Sequence, residues 1–122
     1  MLACAILLVE ENEEAYTSPS NIISDLGYTV NTAHDGPAAL ELSKGNLYRL
    51  ALLDDKIPGM DGVELYGHLQ QVQADTVDVL ATTFAADATI QEAVRAGIRR
   101  VLPKPVDFGH LIPLIEEVAG TL

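Results

Sequence analysis

Two stretches of this chain are apolar without a break, and both stop on acid. Leu50-Ala51-Leu52-Leu53 runs into Asp54, and Ala3-Cys4-Ala5-Ile6-Leu7-Leu8-Val9 runs into Glu10-Glu11. A strand with one face in water alternates polar and apolar side chains. These two do not, so both read as strands buried on both faces. Pro58-Gly59 and Asp61-Gly62 then turn the chain from the second of them into a helix. A carboxylate at the carboxyl end of a buried strand stands where open α/β sheets place their chemistry, which singles out Asp54.

The remaining segments repeat the same unit. Acidic residues follow the first strand, then a helix expected to end near Leu26 with Gly27 just beyond it. Within that helix Pro19 either interrupts the backbone bonding or, with Ser18 as cap, restarts it. Tyr28 to Ala33 alternates and is expected to be a shorter, edge-like strand. Asp35-Gly36-Pro37 opens a second helix ending near Gly45. A third carries Val63, Leu65, Tyr66, Leu69 and Val72. Val77 to Thr83 is the fourth strand. Asp87 is expected to cap a helix with Ile90, Ala93 and Val94 inward, ending at Gly97. Arg100-Val101-Leu102 is a fifth strand stopped by Pro103-Lys104-Pro105. Asp107 is expected to cap a last helix, in which Pro113 sits awkwardly. Five βα units joined by short loops predict one α/β domain over residues 1–122, a parallel sheet with helices on both faces.

The chain has 122 residues, 48% of them hydrophobic, which suits one folded core and argues against disorder. Its formal charge of −11 argues against a broad basic face for nucleic acid or anionic lipid. No apolar run reaches membrane-spanning length and no secretory leader pattern is present, so a cytoplasmic location is expected. Cys4 reads as a buried inert thiol. His34, His68 and His110 have no metal-ligand spacing.

Collecting the strand ends gives Glu10, Glu11, Asp54, Thr83 and Lys104. Converging carboxylates repel unless a cation joins them, and an all-oxygen site of this kind suits Mg²⁺. Thr83 adds a hydroxyl and Lys104 a point charge, a pair fitted to a tetrahedral anion. A carboxylate, a divalent ion, a hydroxyl and an ammonium are the parts required to place a phosphoryl group on an aspartate.

With these residues in view, the chain resembles a response-regulator receiver domain of two-component signalling over essentially its full length. The matching motifs are ILLVEEN at 6–12, LGYTVNTAHDGPAAL at 26–40, LALLDDKIPGMDG at 50–62, VLATT at 79–83 and AGIRRVLPKP at 96–105. Each is weak alone; their order and spacing together are specific. The resemblance implies a flavodoxin-like, doubly wound five-stranded sheet of order 2-1-3-4-5. It implies that Asp54 accepts the phosphoryl group, aided by Thr83 and Lys104. It also implies Mg²⁺ held by Glu11, Asp54 and the backbone carbonyl of Lys56, with Glu10 acting largely through a metal-bound water, and a cis Lys104-Pro105 peptide. The implied partners are a histidine kinase or histidine phosphotransfer protein, a fused or separate output domain, and a second copy in a homodimer. Contacts would change through the fourth helix, fifth strand and fifth helix, near Arg99 and Arg100. Such a domain is no conventional enzyme, but it catalyses its own phosphoryl transfer and dephosphorylation.

The sequence departs from the family pattern at three positions. Glu11 stands where aspartate is usual, Phe84 where a small residue is usual, and Val101 where an aromatic ring is usual. They motivate a second reading, a pseudo-receiver that binds partners without being phosphorylated. A haloacid-dehalogenase-like phosphatase would want an aspartate two positions after Asp54, and Lys56 is there instead. Flavodoxin-like cofactor binding is disfavoured by the glutamates after the first strand.

Overall fold

The computed structural model describes residues 5–10, 14–57, 60–73, 75–82, 87–98, 100–104, 106 and 108–119. Its elements follow in the order β1 (Ala5–Val9), α1 (Glu14–Asp25), β2 (Thr29–Ala33), α2 (Gly36–Gly45), β3 (Leu50–Asp54), β4 (Lys56–Ile57), β5 (Met60–Asp61), α3 (Gly62–Val72), β6 (Val77–Thr82), α4 (Asp87–Ala96), β7 (Arg100–Pro103) and α5 (Phe108–Ala119). The five long strands are all parallel and lie in the order β2-β1-β3-β6-β7. Counting only these five, that is the expected order 2-1-3-4-5. The two-residue strands β4 and β5 form a small antiparallel hairpin of their own, which the turn residues alone did not predict.

Strand alternation divides the core into two layers. Ile6, Leu8, Leu50 and Val79 pack with Ile23 of α1 and with Leu111 and Ile115 of α5. The opposite parity, Leu7, Val9, Ala51, Leu53 and Leu80, packs with Ala39 of α2, Leu65 and Leu69 of α3 and Ala93 of α4. The central strands are thus covered on both faces, which is why they read as unbroken apolar runs.

The helix boundaries follow from local chemistry. Asp35 caps α2 by accepting the Ala38 N–H at 2.8 Å, with proline in the first helical turn. Asp61 caps α3, accepting the Glu64 N–H at 2.7 Å. Gly27, two residues past the end of α1, and Gly97, directly after α4, take φ of 99° and 109°, a left-handed turn that glycine makes without a Cβ clash.

Of the alternatives at Pro19, the first helix runs through it as one element. Pro113 lies inside α5, as expected, and is exposed while Leu111 and Ile115 supply the packing. One expectation changes. Val94 does not point inward: it is 62% exposed while Ala93 is fully buried. At 100° per residue the inward stripe of α4 is narrow, and the step from Ala93 to Val94 leaves it. Cys4, Arg99 and Asp107 lie outside the described residues, and Asp87 is the first residue of α4.

Candidate functional site

The site is assembled where three parallel strands end. Register pairs Val9 with Leu53, and Asp54 with Ala81. Glu10, one step beyond β1, is therefore level with Asp54. Alternation gives both the parity of Leu8 and Leu52, on the side of the sheet covered by α1 and α5. The main chain is pinned around them. Glu10 N–H donates to Ala33 O at 3.0 Å and Asp55 N–H to Ala81 O at 2.9 Å, while Lys104 N–H donates to Thr82 O at 2.8 Å. Each of these side chains thus hangs from a strand end held by a main-chain hydrogen bond.

Lys104 closes the cluster. Its Nζ lies 2.8 Å from Glu10 Oε2 and 3.0 Å from Asp54 Oδ2. The side chains are 20%, 15% and 6% exposed respectively, so Asp54 sits deepest and is reached past the other two. Burial by itself would lower the Lys104 ammonium. The hydrogen bonds to Glu10 and Asp54 and the charges of both outweigh it and hold the group above its ordinary value.

A third segment braces Asp54 from behind. Gly62, the first residue of α3, donates its N–H to Asp55 O at 2.9 Å. A Cβ at Gly62 would stand 2.5 Å from Asp54 O and 2.6 Å from Leu80 Cδ1. Only a residue without a side chain lets α3 start this close to β3.

Of the residues expected at the site, Glu10, Asp54 and Lys104 come together. The backbone of Lys56 lies just beyond Asp54 in β4. Glu11, Thr83, Phe84 and the Lys104-Pro105 peptide lie outside the described residues. Sequence reasoning passed over Thr82, which is completely buried and donates its hydroxyl to Asp55 Oδ2 at 2.7 Å. The signal lies in strand register, which the structure supplies: because Ala81 pairs with Asp54, the first threonine of the Thr82-Thr83 pair falls level with Asp55.

The donors suit a hard cation. Two carboxylates that share one ammonium at adjacent strand ends are oxygen ligands of the kind Mg²⁺ takes. Among the described residues no cluster of three acidic, histidine or cysteine side chains forms.

The response regulator receiver domain family matches residues 6–116, nearly the whole chain. The chain belongs to that family. This receiver is 31% identical over 108 residues to a response regulator receiver protein of Anaeromyxobacter sp. (strain Fw109-5), covering 88% of this chain and 45% of that one. It is 32% identical over 121 residues to the aerobic respiration control sensor protein ArcB of Escherichia coli, covering 98% of this chain and 16% of the sensor. The receiver therefore spans less than half the length of either relative. Among solved structures it superposes with TM-score 0.90 on the signal receiver domain of an HD domain-containing protein from Pseudomonas fluorescens Pf-5. That pair is 28% identical and covers 99% and 90% of the two chains. A Burkholderia pseudomallei response regulator, crystallised with a phosphorylated aspartic acid, calcium ion and citrate, superposes at 0.84. It is 24% identical, with 97% and 72% of the two chains covered. No described helix of the receiver is long and apolar enough to cross a membrane.

Proposed function

We propose that this receiver is a phospho-accepting signalling module in which Asp54 takes a phosphoryl group from a partner histidine kinase or histidine phosphotransfer protein. The observation that carries the reading is the convergence of Asp54 and Glu10 on one lysine ammonium at adjacent strand ends. An Asp54 carboxylate oxygen attacks phosphorus, the bond from phosphorus to the donor's histidine nitrogen breaks, and the leaving imidazole keeps the electron pair and takes a proton. Lys104, already 3.0 Å from Asp54, is placed to hold an oxygen of the transferred group, and the Thr83 hydroxyl is assigned the same task. Glu10, Glu11, Asp54 and the Lys56 carbonyl would hold Mg²⁺, whose charge offsets the repulsion between an incoming phosphoryl group and the carboxylates. The phosphorylated aspartate and calcium ion of the Burkholderia relative support this assignment.

The output surface assigned here is α4, β7 and α5. On it Val94 is exposed, and Arg100 pairs with Glu117 at 3.7 Å in a half-exposed contact that solvent competes for. A sensor protein and a transcriptional regulatory protein among the relatives support a kinase upstream and an output domain, fused or separate, downstream. The competing pseudo-receiver reading rests on Glu11, Phe84 and Val101, the last packed against the core without an aromatic ring to swing.

Incubation with acetyl phosphate and Mg²⁺, followed by intact-mass measurement, tests the proposal. One added phosphoryl group is expected, absent in Asp54→Asn. An unmodified parent, or a modification that survives in Asp54→Asn, overturns it. A Mg²⁺ titration followed by backbone NMR separates the two readings, because a pseudo-receiver shows no shifts centred on residues 10, 54 and 56.

A further inference from the structure

Asp55, the residue directly after the acceptor, is tied into the site more firmly than a turn residue needs to be. Its N–H donates to Ala81 O and its carbonyl accepts the Gly62 N–H, both at 2.9 Å, so its main chain is fixed on two sides. From that base its Oδ2 accepts the hydroxyl of fully buried Thr82 at 2.7 Å. The carbonyl of the same Thr82 accepts the Lys104 N–H at 2.8 Å, and Lys104 Nζ returns to Asp54 Oδ2 at 3.0 Å. With the Asp54-Asp55 peptide bond these contacts form a closed ring. A hydroxyl has one hydrogen to donate, and Thr82 gives it to Asp55. Hydrogen bonds onto a carboxylate are the stronger kind, so this link is not an incidental one.

We propose that Asp55 is a positioning residue for the acceptor site: by holding Thr82 it fixes the strand end from which Lys104 hangs, and so sets the ammonium against Asp54. This rests on the reading of Asp54 as phospho-acceptor. The parity of the sheet gives the arrangement a second consequence. Thr82 has the parity of Leu80, on the side facing α3 and α4, whereas Asp54 faces the α1 and α5 side. Asp55 therefore joins the reacting side of the sheet to the layer that contains α4.

The test compares the parent chain with Asp55→Asn, Asp55→Ala, Thr82→Val and the double variant Asp55→Ala/Thr82→Val. Amide hydrogen exchange read by NMR at the Lys104 N–H is expected to quicken by about ten-fold in Asp55→Ala and in Thr82→Val. Asp55→Asn keeps an acceptor oxygen and should recover most of the protection, and the double variant should be no worse than either single one. With acetyl phosphate and Mg²⁺, the same variants should take up phosphoryl groups about ten-fold more slowly at saturating donor, with the half-saturating donor concentration unchanged. If Asp55→Ala does not fold, Thr82→Ser against Thr82→Val makes the same comparison, serine restoring what valine loses. Parent-like exchange at Lys104 in the Ala and Val variants overturns the inference, as does a double variant whose effects multiply. A parent chain that shows the exchange pattern but takes up no phosphoryl group overturns the acceptor reading and leaves the positioning of Lys104 standing.

Discussion

Lys104 Nζ stands 3.0 Å from Asp54 Oδ2, and the same nitrogen holds Glu10 at 2.8 Å. The lysine is the cation these two acids share, and under the proposed function a divalent ion would join the same carboxylates. Replacing it with an apolar residue of similar length separates these effects. Lys104→Met is expected to lower stability by about 1–3 kcal/mol in chelator, since the carboxylates lose their partner while remaining partly wet. Added Mg²⁺ should recover more stability in the variant than in the parent. Urea denaturation with and without Mg²⁺ measures both, and equal recovery in the two proteins would show that lysine and metal do not compete.

Gly62 tests the brace behind Asp54. Its missing side chain leaves room for Asp54 O and Leu80 Cδ1, and neither backbone nor fully buried leucine can yield cheaply. Gly62→Ala is expected to destabilise by about 1–3 kcal/mol, by overpacking. Thermal unfolding reports the loss, and an unchanged midpoint would mean that α3 can shift away without penalty.

Asp78 makes stability fall with rising pH. It is buried in β6, with Gln70 Nε2 donating to Oδ2 at 2.7 Å and Oδ1 lacking a hydrogen-bond partner among the described residues. Desolvation pushes its carboxyl from an ordinary 3.8 up to about 7, against the opposing pull of the Gln70 hydrogen bond. Between those values the folded state holds a proton that the unfolded state has released. The contribution to stability is therefore full below the unfolded value, declines as pH rises through the window, and is flat above about 7. Asp78→Asn removes the dependence. The variant should match the parent near pH 4 and exceed it by roughly 1–3 kcal/mol at pH 8. Urea midpoints across this range decide it; a constant difference would place the titration elsewhere.

Gln73 ties two loops at the opposite end of the sheet. Its Oε1 accepts from Tyr48 N–H at 2.9 Å and lies 3.1 Å from the Thr76 hydroxyl, which also reaches Tyr48 O at 2.8 Å. Its Nε2 donates to Ser43 O at 2.7 Å and also to Asn46 O. Gln73→Leu preserves volume but strands several buried polar groups at once. A loss of about 2–4 kcal/mol is expected. Chemical denaturation with an unchanged m-value would confirm a native-state effect, whereas a loss below about 0.5 kcal/mol would mean that water replaces the amide.

The alternation of strand and helix, the turn glycines, and the acids that stop β1 and β3 are local properties, and each was legible in the order of residues. Unbroken apolar runs meant two-sided burial, and Asp35 and Asp61 announced helix starts by their own side-chain chemistry. The acceptor candidate, its acidic neighbour and the distant lysine could be named because a parallel sheet must bring strand ends together. Direction and depth were not legible. Val94 looked core-like by type, yet only the packing of α4 on the sheet decided that Ala93 faces inward and Val94 does not.

The partnership of Thr82 with Asp55 depends on strand register between segments far apart in the chain, and a shift of one residue would turn Thr82 to the other face. The knot around Gln73 depends on where the end of α3 meets the end of α2 and the loops beside it. Residue type and spacing therefore set which elements form and which charged groups reach the end of the sheet. Pairing across β3, β6 and β7 decided which hydroxyl meets which carboxylate, because a hydrogen bond requires a distance and an angle that no single segment controls.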